Sequence, residues 1–251
     1  MDWYINNVME NKGIFRIISI ILGAAIIVTS ACLIFFIYEY RASEDRYEEI
    51  RLEAIPYRED AASLTEESED TITYNPLYDI NSDYIGWIEA CEGEIDYPMV
   101  RGEDNEFYLK HDFDGNRASC GCIFADCEYG IPFEGALTVL YGHNMRDGSM
   151  FHSLLNYKDR EYCLSHPFFY ITTDEGRMEV QIFSVFKSDY ADIPFYQGEI
   201  LSDAYISELK GLSMYDMGVI PEAGDKLVML ITCEYSTSDG RMVICGELHG
   251  D

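Results

Sequence analysis

The 251-residue chain is long enough for one well-cored domain with appendages and too short for two full-sized enzymes in tandem. Its hydrophobic fraction of 48% excludes intrinsic disorder for the bulk of the chain. The 17 Lys and Arg residues against 46 Asp and Glu residues give a net charge of −29, which repels nucleic-acid phosphates and anionic lipid. We therefore expect no nucleic-acid partner.

The first predicted element is a membrane anchor. From Ile17 to Tyr38 no residue carries a charge, and a helix of about 20 apolar residues crosses the hydrocarbon core of a bilayer. We predict a single-pass transmembrane helix at 17–38 after a short cytoplasmic N-terminus at 1–16. A cleaved signal peptide is the alternative, although its apolar region is usually shorter. The Lys and Arg residues on the two sides do not decide the orientation, because Asp and Glu surround those after the helix.

An acidic stalk over 39–74 is predicted to join this anchor to a folded domain over 75–251. Residues 39–56 carry charges of both signs at helical spacing, and Pro56 is expected to end that helix. Residues 57–73 are acidic and rich in Ser and Thr, which is typical of a flexible linker.

Beyond the stalk the pattern is mostly that of strands. Short runs rich in Val, Ile, Phe or Tyr, flanked by turn-forming residues, predict eight strands and hence a barrel or a sandwich. These runs are Tyr84–Ala90, Ile95–Val100, Ala118–Ala125, Ala136–Gly142, Phe168–Thr172, Met178–Phe186, Lys226–Thr232 and Met242–Leu248. Helices are predicted at Asn105–Lys110, at Met150–Ser165 in one or two pieces, and at Asp203–Met214.

The eight cysteines are too sparse for a fold built on disulfides in a chain of this length. Cys120, Cys122 and Cys127, with Cys163 and His166 further on, leave a zinc site open as an alternative. Their spacing does not match the paired C-x2-C ligands of most structural zinc sites. We expect small buried or half-buried thiols here, and neither a metal nor another cofactor.

Two segments place a reactive side chain at the end of a predicted strand. His143 follows one strand, Cys233 ends another, and Arg241 opens the next. An imidazole can withdraw the proton of a neighbouring thiol and so create a nucleophile, while a guanidinium keeps its charge and can hold a developing oxyanion. Taken singly, each residue fits a structural role better. Together they would supply nucleophile, base and cation.

The letters around these residues resemble the class B sortases. The segment Tyr141–Phe151 (YGHNMRDGSMF) is similar to the histidine segment of that class. Leu230–Cys233 matches the L-x-T-C part of the sortase TLxTC motif, and Arg241 follows at the expected distance. Met229 stands where the family has Thr, a departure that removes no catalytic group. Shorter matches at 105–109 and 121–126 and an insertion with a helix at 188–218 extend the resemblance over about Tyr74 to Leu248.

The resemblance implies a closed eight-stranded β-barrel with peripheral helices, anchored in the membrane of a Gram-positive cell with its catalytic domain outside. It further implies a cysteine transpeptidase. Cys233 would attack the Thr carbonyl of a C-terminal sorting motif in a secreted protein, and His143 would protonate the departing amine. Arg241 would hold the substrate carbonyl or its oxyanion. The thioacyl intermediate would then pass to an amine acceptor of peptidoglycan or of a pilin subunit.

Four residues are assigned to the substrate groove by the same resemblance: Asn105, Leu109, Tyr141 and Glu234.

Three alternatives remain open from the residues alone. A cysteine protease that hydrolyses the same motif would use the same thiol and imidazole. An inactive membrane-anchored binding module would keep the fold without the chemistry. The segment Asp112–Asn116 groups carboxylates around a glycine, but it lacks the ligand order of a calcium-binding EF-hand loop and is better interpreted as a hairpin turn.

Overall fold

The computed structural model describes residues 2–63, 75–196 and 198–249. They form two compact units, one ending at Asp45 and the other beginning at Arg46. The first unit is the N-terminal part of helix α1 (Asp2–Ser63). Within it, the 21-residue segment Phe15–Phe35 is long and apolar enough to cross a bilayer, and none of it is buried. By length and composition this segment agrees with the predicted anchor.

The second unit begins with the remainder of α1, where the structure differs from the predicted stalk. The prediction that Pro56 ends the helix is wrong, because α1 continues through it to Ser63. One face of this part of the helix is buried at the three- and four-residue spacing of an amphipathic helix. The buried residues are Tyr47, Ile50, Ala54, Tyr57 and Ala61. Residues 64–74, the rest of the predicted linker, lie outside the described residues.

Ion pairs add to this burial next to the proline. Arg58 donates to Glu89 at 2.5 Å and to Asp96 at 2.9 Å, and its guanidinium lies over the ring of Trp87. A proline inside a helix costs about 3 kcal/mol through its missing N–H and its steric clash. Packing and pairing offset that cost, so the helix from Arg46 to Ser63 belongs to the folded unit and is not a free stalk.

Eight strands close into a barrel, which confirms the predicted fold class. Around the barrel the order is β1-β2-β3-β4-β7-β8-β6-β5, and the pairs β2–β3 and β4–β7 are parallel while the others are antiparallel. The strands are β1 (Tyr84–Ala90), β2 (Ile95–Val100), β3 (Ile123–Ala125), β4 (Leu137–Tyr141), β5 (Phe168–Thr173), β6 (Gly176–Asp189), β7 (Lys226–Cys233) and β8 (Gly240–His249).

All eight predicted strands are present, although one is much shorter than expected. The run Ala118–Ala125 contains only β3 at its end, because Gly121 adopts a φ of +61° and interrupts the extended backbone. Cys120 and Cys122 therefore precede the strand and are not part of it, although both are buried.

Strand β7 is buried on both faces, which explains its uninterrupted apolar sequence. Its odd-numbered residues pack in a cluster with helix α4 (Asp203–Leu212), and its even-numbered residues pack in a second cluster that includes Ile50 of α1. The first set is Leu227, Met229 and Ile231, and the second is Val228 and Leu230.

The helical predictions are confirmed with shorter bounds. The described helices after α1 are α2 (Leu77–Ile80), α3 (Arg160–Ser165), α4, and 3-10 helices at Cys91–Gly93, Phe107–Leu109, His152–Lys158 and Tyr190–Asp192. Helix α4 lies in the long connection between β6 and β7, where the resemblance placed an insertion with a helix. The segment Asp112–Asn116 is a hairpin turn closed by the bridge between His111 and Arg117, and Gly115 has a φ of +77°.

If the Arg46–Ser63 helix is part of the folded unit, truncating a side chain of its buried face will destabilise the barrel. We expect Ile50→Ala to lower the free energy of unfolding by about 2–5 kcal/mol, because the side chain is fully buried. Leu52→Ala, on the exposed face of the same helix, should change it by less than about 0.5 kcal/mol. Urea unfolding of the detergent-solubilised chain measures both, and equal effects would contradict the assignment.

Candidate active site

The ends of neighbouring strands meet at one edge of the barrel. β4 and β7 run parallel with Tyr141 opposite Ile231, so both chains leave the sheet at the same edge. His143 and Cys233 each lie two residues beyond that pair, and the N–H of Gly142 still donates to the oxygen of Ile231 at 3.2 Å. The register therefore brings the histidine level with the cysteine.

Arg241 joins them from the antiparallel strand β8, where it lies directly opposite Cys233. Opposite residues of an antiparallel pair project to the same face, so the thiol and the guanidinium lie side by side. Together with His143 they line one open cleft of about 220 Å³. The other residues that line the cleft are Asn105, Leu109, Phe124, Tyr141, Gly142, Tyr190, Ile231 and Thr232.

The orientation of the His143 ring is set by the backbone. Its Nε2 lies 2.8 Å from the carbonyl oxygen of Leu109, at the end of the 3-10 helix. A carbonyl oxygen only accepts, so Nε2 carries a hydrogen and Nδ1 remains the nitrogen that can take up a proton. The carbonyl of His143 itself accepts the N–H of Phe151 at 2.9 Å.

Asn144 bridges the two catalytic segments. Its Nδ2 donates to the carbonyl oxygen of Cys233 at 2.8 Å, and its Oδ1 accepts from Nδ1 of His152 at 2.7 Å. The residue next to the histidine thus holds the backbone of the cysteine. Because both ends of the amide are engaged, its orientation is fixed.

The guanidinium of Arg241 is held on several sides. It pairs with Asp239 at 2.9 Å, donates to the carbonyl oxygen of Gly240 at 3.0 Å, and lies 5.4 Å from the centre of the Tyr190 ring. A guanidinium remains charged in proteins, so it brings a permanent positive charge to the cleft.

A buried carboxylate orients two side chains that line the cleft. Asp126, 5% exposed, accepts Nδ2 of Asn105 at 2.8 Å and the hydroxyl of Tyr141 at 2.9 Å. Burial and the Asp126 charge raise the pKa of Tyr141, so its hydroxyl stays protonated. That single hydrogen goes to Asp126, and in the 3.3 Å contact between the two tyrosines Tyr190 must therefore be the donor.

Of the four predicted groove residues, Asn105, Leu109 and Tyr141 line the cleft, but Glu234 does not. Glu234 follows Cys233 directly, beyond the end of β7. The Glu234 carboxylate pairs instead with Lys158 at 2.5 Å and accepts the N–H of Ser236 at 3.0 Å. Burial raises the pKa of Glu234, but these hydrogen bonds outweigh it and lower the pKa to about 2.

Three residues of this region escaped the sequence analysis. Tyr190 follows β6 in a long connection, Asp126 follows β3, and Lys158 ends the 3-10 helix His152–Lys158. Only Asp126 left a signal, as the last letter of one of the segments that resemble class B sortases. Nothing in the sequence indicates that Tyr190 lies beside Arg241, because that proximity comes from the pairing of β6 with β8.

The cysteines weighed as zinc ligands lie apart from this cleft. Cys120, Cys122 and Cys163 are buried, and the sulfur of Cys163 lies 3.3 Å from that of Met217. Across residues 2–63, 75–196 and 198–249, no group of three or more His, Cys, Asp or Glu residues is placed to hold a metal ion.

Comparison with known proteins identifies relatives along most of the chain, although no protein-family model matches it. Sortase B of Listeria monocytogenes is 34% identical over 198 residues, which cover 76% of this chain and 80% of the relative. Sortase B of Staphylococcus aureus is 28% identical over 181 residues, covering 70% and 74% respectively.

The crystal structure of sortase B from B. anthracis has a TM-score of 0.70 to this fold at 29% identity. That match covers 85% of this chain and 99% of the other. The resemblance stated from the sequence motifs is therefore confirmed by overall sequence and by fold: the chain belongs to the sortase B family of cysteine transpeptidases.

Proposed function

We propose that this chain is a membrane-anchored transpeptidase that cleaves a C-terminal sorting motif of secreted proteins after Thr. It then transfers the Thr acyl group to an amine of the cell wall or of a pilin subunit. The observation that carries the proposal is the single open cleft shared by Cys233, His143 and Arg241.

In the proposed reaction the sulfur of Cys233 attacks the Thr carbonyl carbon, and the carbonyl oxygen gains negative charge. Arg241 is placed beside the thiol to hold that oxyanion. The C–N bond then breaks, His143 gives a proton to the departing amine, and a thioacyl-enzyme remains. An incoming amine attacks the thioester, returns a proton to His143 and releases the thiolate.

The histidine contact selects the nitrogen that moves the proton. Because Nε2 is engaged with the carbonyl of Leu109, Nδ1 of His143 exchanges the proton in both half-reactions. Asn105, Leu109 and Tyr141 are proposed to contact the sorting motif, since they line the same cleft. Glu234 is proposed to position the turn after the nucleophile instead, through its bonds to Lys158 and Ser236.

The apolar segment Phe15–Phe35 is proposed to hold the enzyme in the cell membrane. The residues before this segment would then be cytoplasmic and the unit from Arg46 onwards extracellular, where secreted substrates and wall amines are found. Tethering raises the effective concentration of enzyme near substrates that emerge from the membrane.

The three cleft residues should be individually required. We expect Cys233→Ala and His143→Ala to lower kcat/KM for a sorting peptide by at least about 10⁴-fold, since nucleophile and proton carrier act as a unit. Arg241→Ala should cost about 10²–10³-fold, the range for loss of one oxyanion donor. Peptide cleavage followed by mass spectrometry measures the loss, and circular dichroism checks that the fold is retained.

Cys127→Ala is the matched control, because Cys127 is a half-buried thiol outside the cleft. No turnover in the unmodified chain would favour the inactive binding module, and turnover of Cys233→Ala at the rate of this control would remove Cys233 from its role as nucleophile. Alkylation of the two thiols at equal rates would point the same way.

Amine dependence separates transpeptidation from hydrolysis. With a library of Thr-containing peptides, we expect the full chain to form peptide–amine conjugates, and their yield should rise with amine concentration because amine and water compete for one thioester. Mass spectrometry distinguishes the conjugate from the free acid. Free acid as the sole product at every amine concentration would establish the cysteine protease instead.

The role proposed for Glu234 predicts a pH dependence of stability. Its pKa is lowered from 4.5 to about 2 in the folded chain, so its contribution is fully present above pH 4.5 and is lost as the pH falls towards 2. Glu234→Gln should therefore be less stable than the unmodified chain at pH 7, and the difference should shrink between pH 4.5 and 2. Urea unfolding at several pH values measures it.

Glu134→Gln, at an exposed loop position, serves as the control. A stability difference for Glu234→Gln that stayed constant down to pH 2 would contradict the ion pair.

A further inference from the structure

Two side chains at the start of the second unit bind the hairpin that follows the 3-10 helix Phe107–Leu109. At its turn, Arg46 donates from Nε and Nη2 to the two carboxylate oxygens of Asp114, at 2.6 and 2.8 Å. Such a forked pair fixes direction as well as distance. The hairpin, residues 110–122, is closed by the N–H of Ala118, which donates to the oxygen of Lys110 at 2.9 Å.

At the base of the same hairpin, the hydroxyl of Tyr47 donates to the carbonyl oxygen of Gly121 at 2.7 Å. Tyr47 is 4% exposed and Gly121 is buried, so water cannot replace this donor. A buried carbonyl that loses its partner must move to find another.

Gly121 lies directly against the catalytic histidine. A β-carbon placed on it would lie 3.2 Å from Cδ2 of His143 and 2.5 Å from the carbonyl oxygen of Tyr108. The next residue, Cys122, donates its N–H to that same oxygen at 3.0 Å. The backbone at the base of the hairpin therefore packs on one side of the imidazole.

The other contact of the imidazole comes from the same base. Nε2 of His143 bonds to the carbonyl of Leu109, one residue before the hairpin begins. Leu109 and Gly121 thus hold the ring between them, and the helix from Arg46 onwards holds the hairpin at both its turn and its base.

We propose that Tyr47 and Arg46 are positioning residues for His143, so that the helix following the apolar segment in sequence is part of the apparatus that aligns the imidazole. The proposal rests on the proposed role of His143 as the proton carrier. Neither residue lines the cleft, so neither contacts substrate and their effect is on the chemical step. Loss of alignment should lower kcat and leave KM nearly unchanged.

The test compares two tyrosines of one helix in the detergent-solubilised full chain. Tyr47→Phe removes only the hydroxyl that holds Gly121. The matched control is Tyr57→Phe, because Tyr57 is 3% exposed and donates its hydroxyl to Asp174 at 2.9 Å, away from the cleft. Both variants lose one buried hydroxyl from α1, so a general loss of stability affects both.

We expect Tyr47→Phe to lower kcat for peptide–amine transfer about tenfold with KM within about twofold, while Tyr57→Phe keeps the kcat of the unmodified chain. Arg46→Gln, at a partly exposed site where folding is less at risk, should lower kcat in the same direction. The carbon-13 resonance of the His143 imidazole, assigned by its disappearance in His143→Gln, should shift in Tyr47→Phe and stay in place in Tyr57→Phe.

Unchanged kcat and an unchanged His143 resonance in both Tyr47→Phe and Arg46→Gln would overturn the proposal. An equal fall of kcat in Tyr47→Phe and Tyr57→Phe would also overturn it, since it would show a stability effect alone. If the proposed function itself is wrong, the unmodified chain will form no peptide–amine conjugate. That result differs from both outcomes above, in which the unmodified chain is active. The imidazole resonance would still decide whether Tyr47 positions His143.

Discussion

The active site depends above all on the parallel pairing of β4 with β7. With Tyr141 opposite Ile231, the two chains leave the barrel at one edge and at one level. A slip of one residue would turn Cys233 to the other face of the sheet and away from Arg241. Apolar side chains pack against both faces of β7 and hold this register in place. The position of the thiol is therefore set by the core of the barrel.

The imidazole is held in a different way, because His143 follows its strand and does not belong to it. Strand residues inherit their direction from the sheet, whereas a loop residue needs specific partners. The bonds around His143 are accordingly dense: the carbonyl of Leu109 on its ring, the N–H of Phe151 on its carbonyl, and Asn144 tying its neighbour to Cys233. Alignment of the pair thus combines a rigid thiol with a histidine that depends on the segments packed around it.

The sequence was sufficient for the elements of the fold and for the three residues that meet in one cleft, and insufficient where side-chain direction or partner matters. Strands were found because β-branched and aromatic runs end at turn residues. The error at Pro56 came from a rule about isolated helices, which buried packing overrides. The sequence does contain the three- and four-residue apolar spacing of the buried face, at Tyr47, Ile50, Ala54, Tyr57 and Ala61. The many charged residues between them favoured the interpretation as a solvent-exposed stalk. A one-letter match such as the one at Glu234 carries no side-chain direction. Tyr190 could not be predicted, because no local pattern in the sequence gives the order of the strands.

The buried carboxylate of Asp126 determines which hydroxyls of the cleft donate and which accept hydrogen bonds. Asp126 takes the only hydroxyl hydrogen of Tyr141, so Tyr141 accepts from Tyr190, which in turn has no second hydrogen to offer. The hydroxyls of Tyr141 and Tyr190 can therefore only accept further hydrogen bonds. Arg241, on the neighbouring strand edge, can only donate. The cleft therefore presents two hydroxyl acceptors and a guanidinium donor. The Asp126 carboxylate that sets this arrangement of donors and acceptors is almost completely buried, and it acts on the cleft through Asn105 and Tyr141.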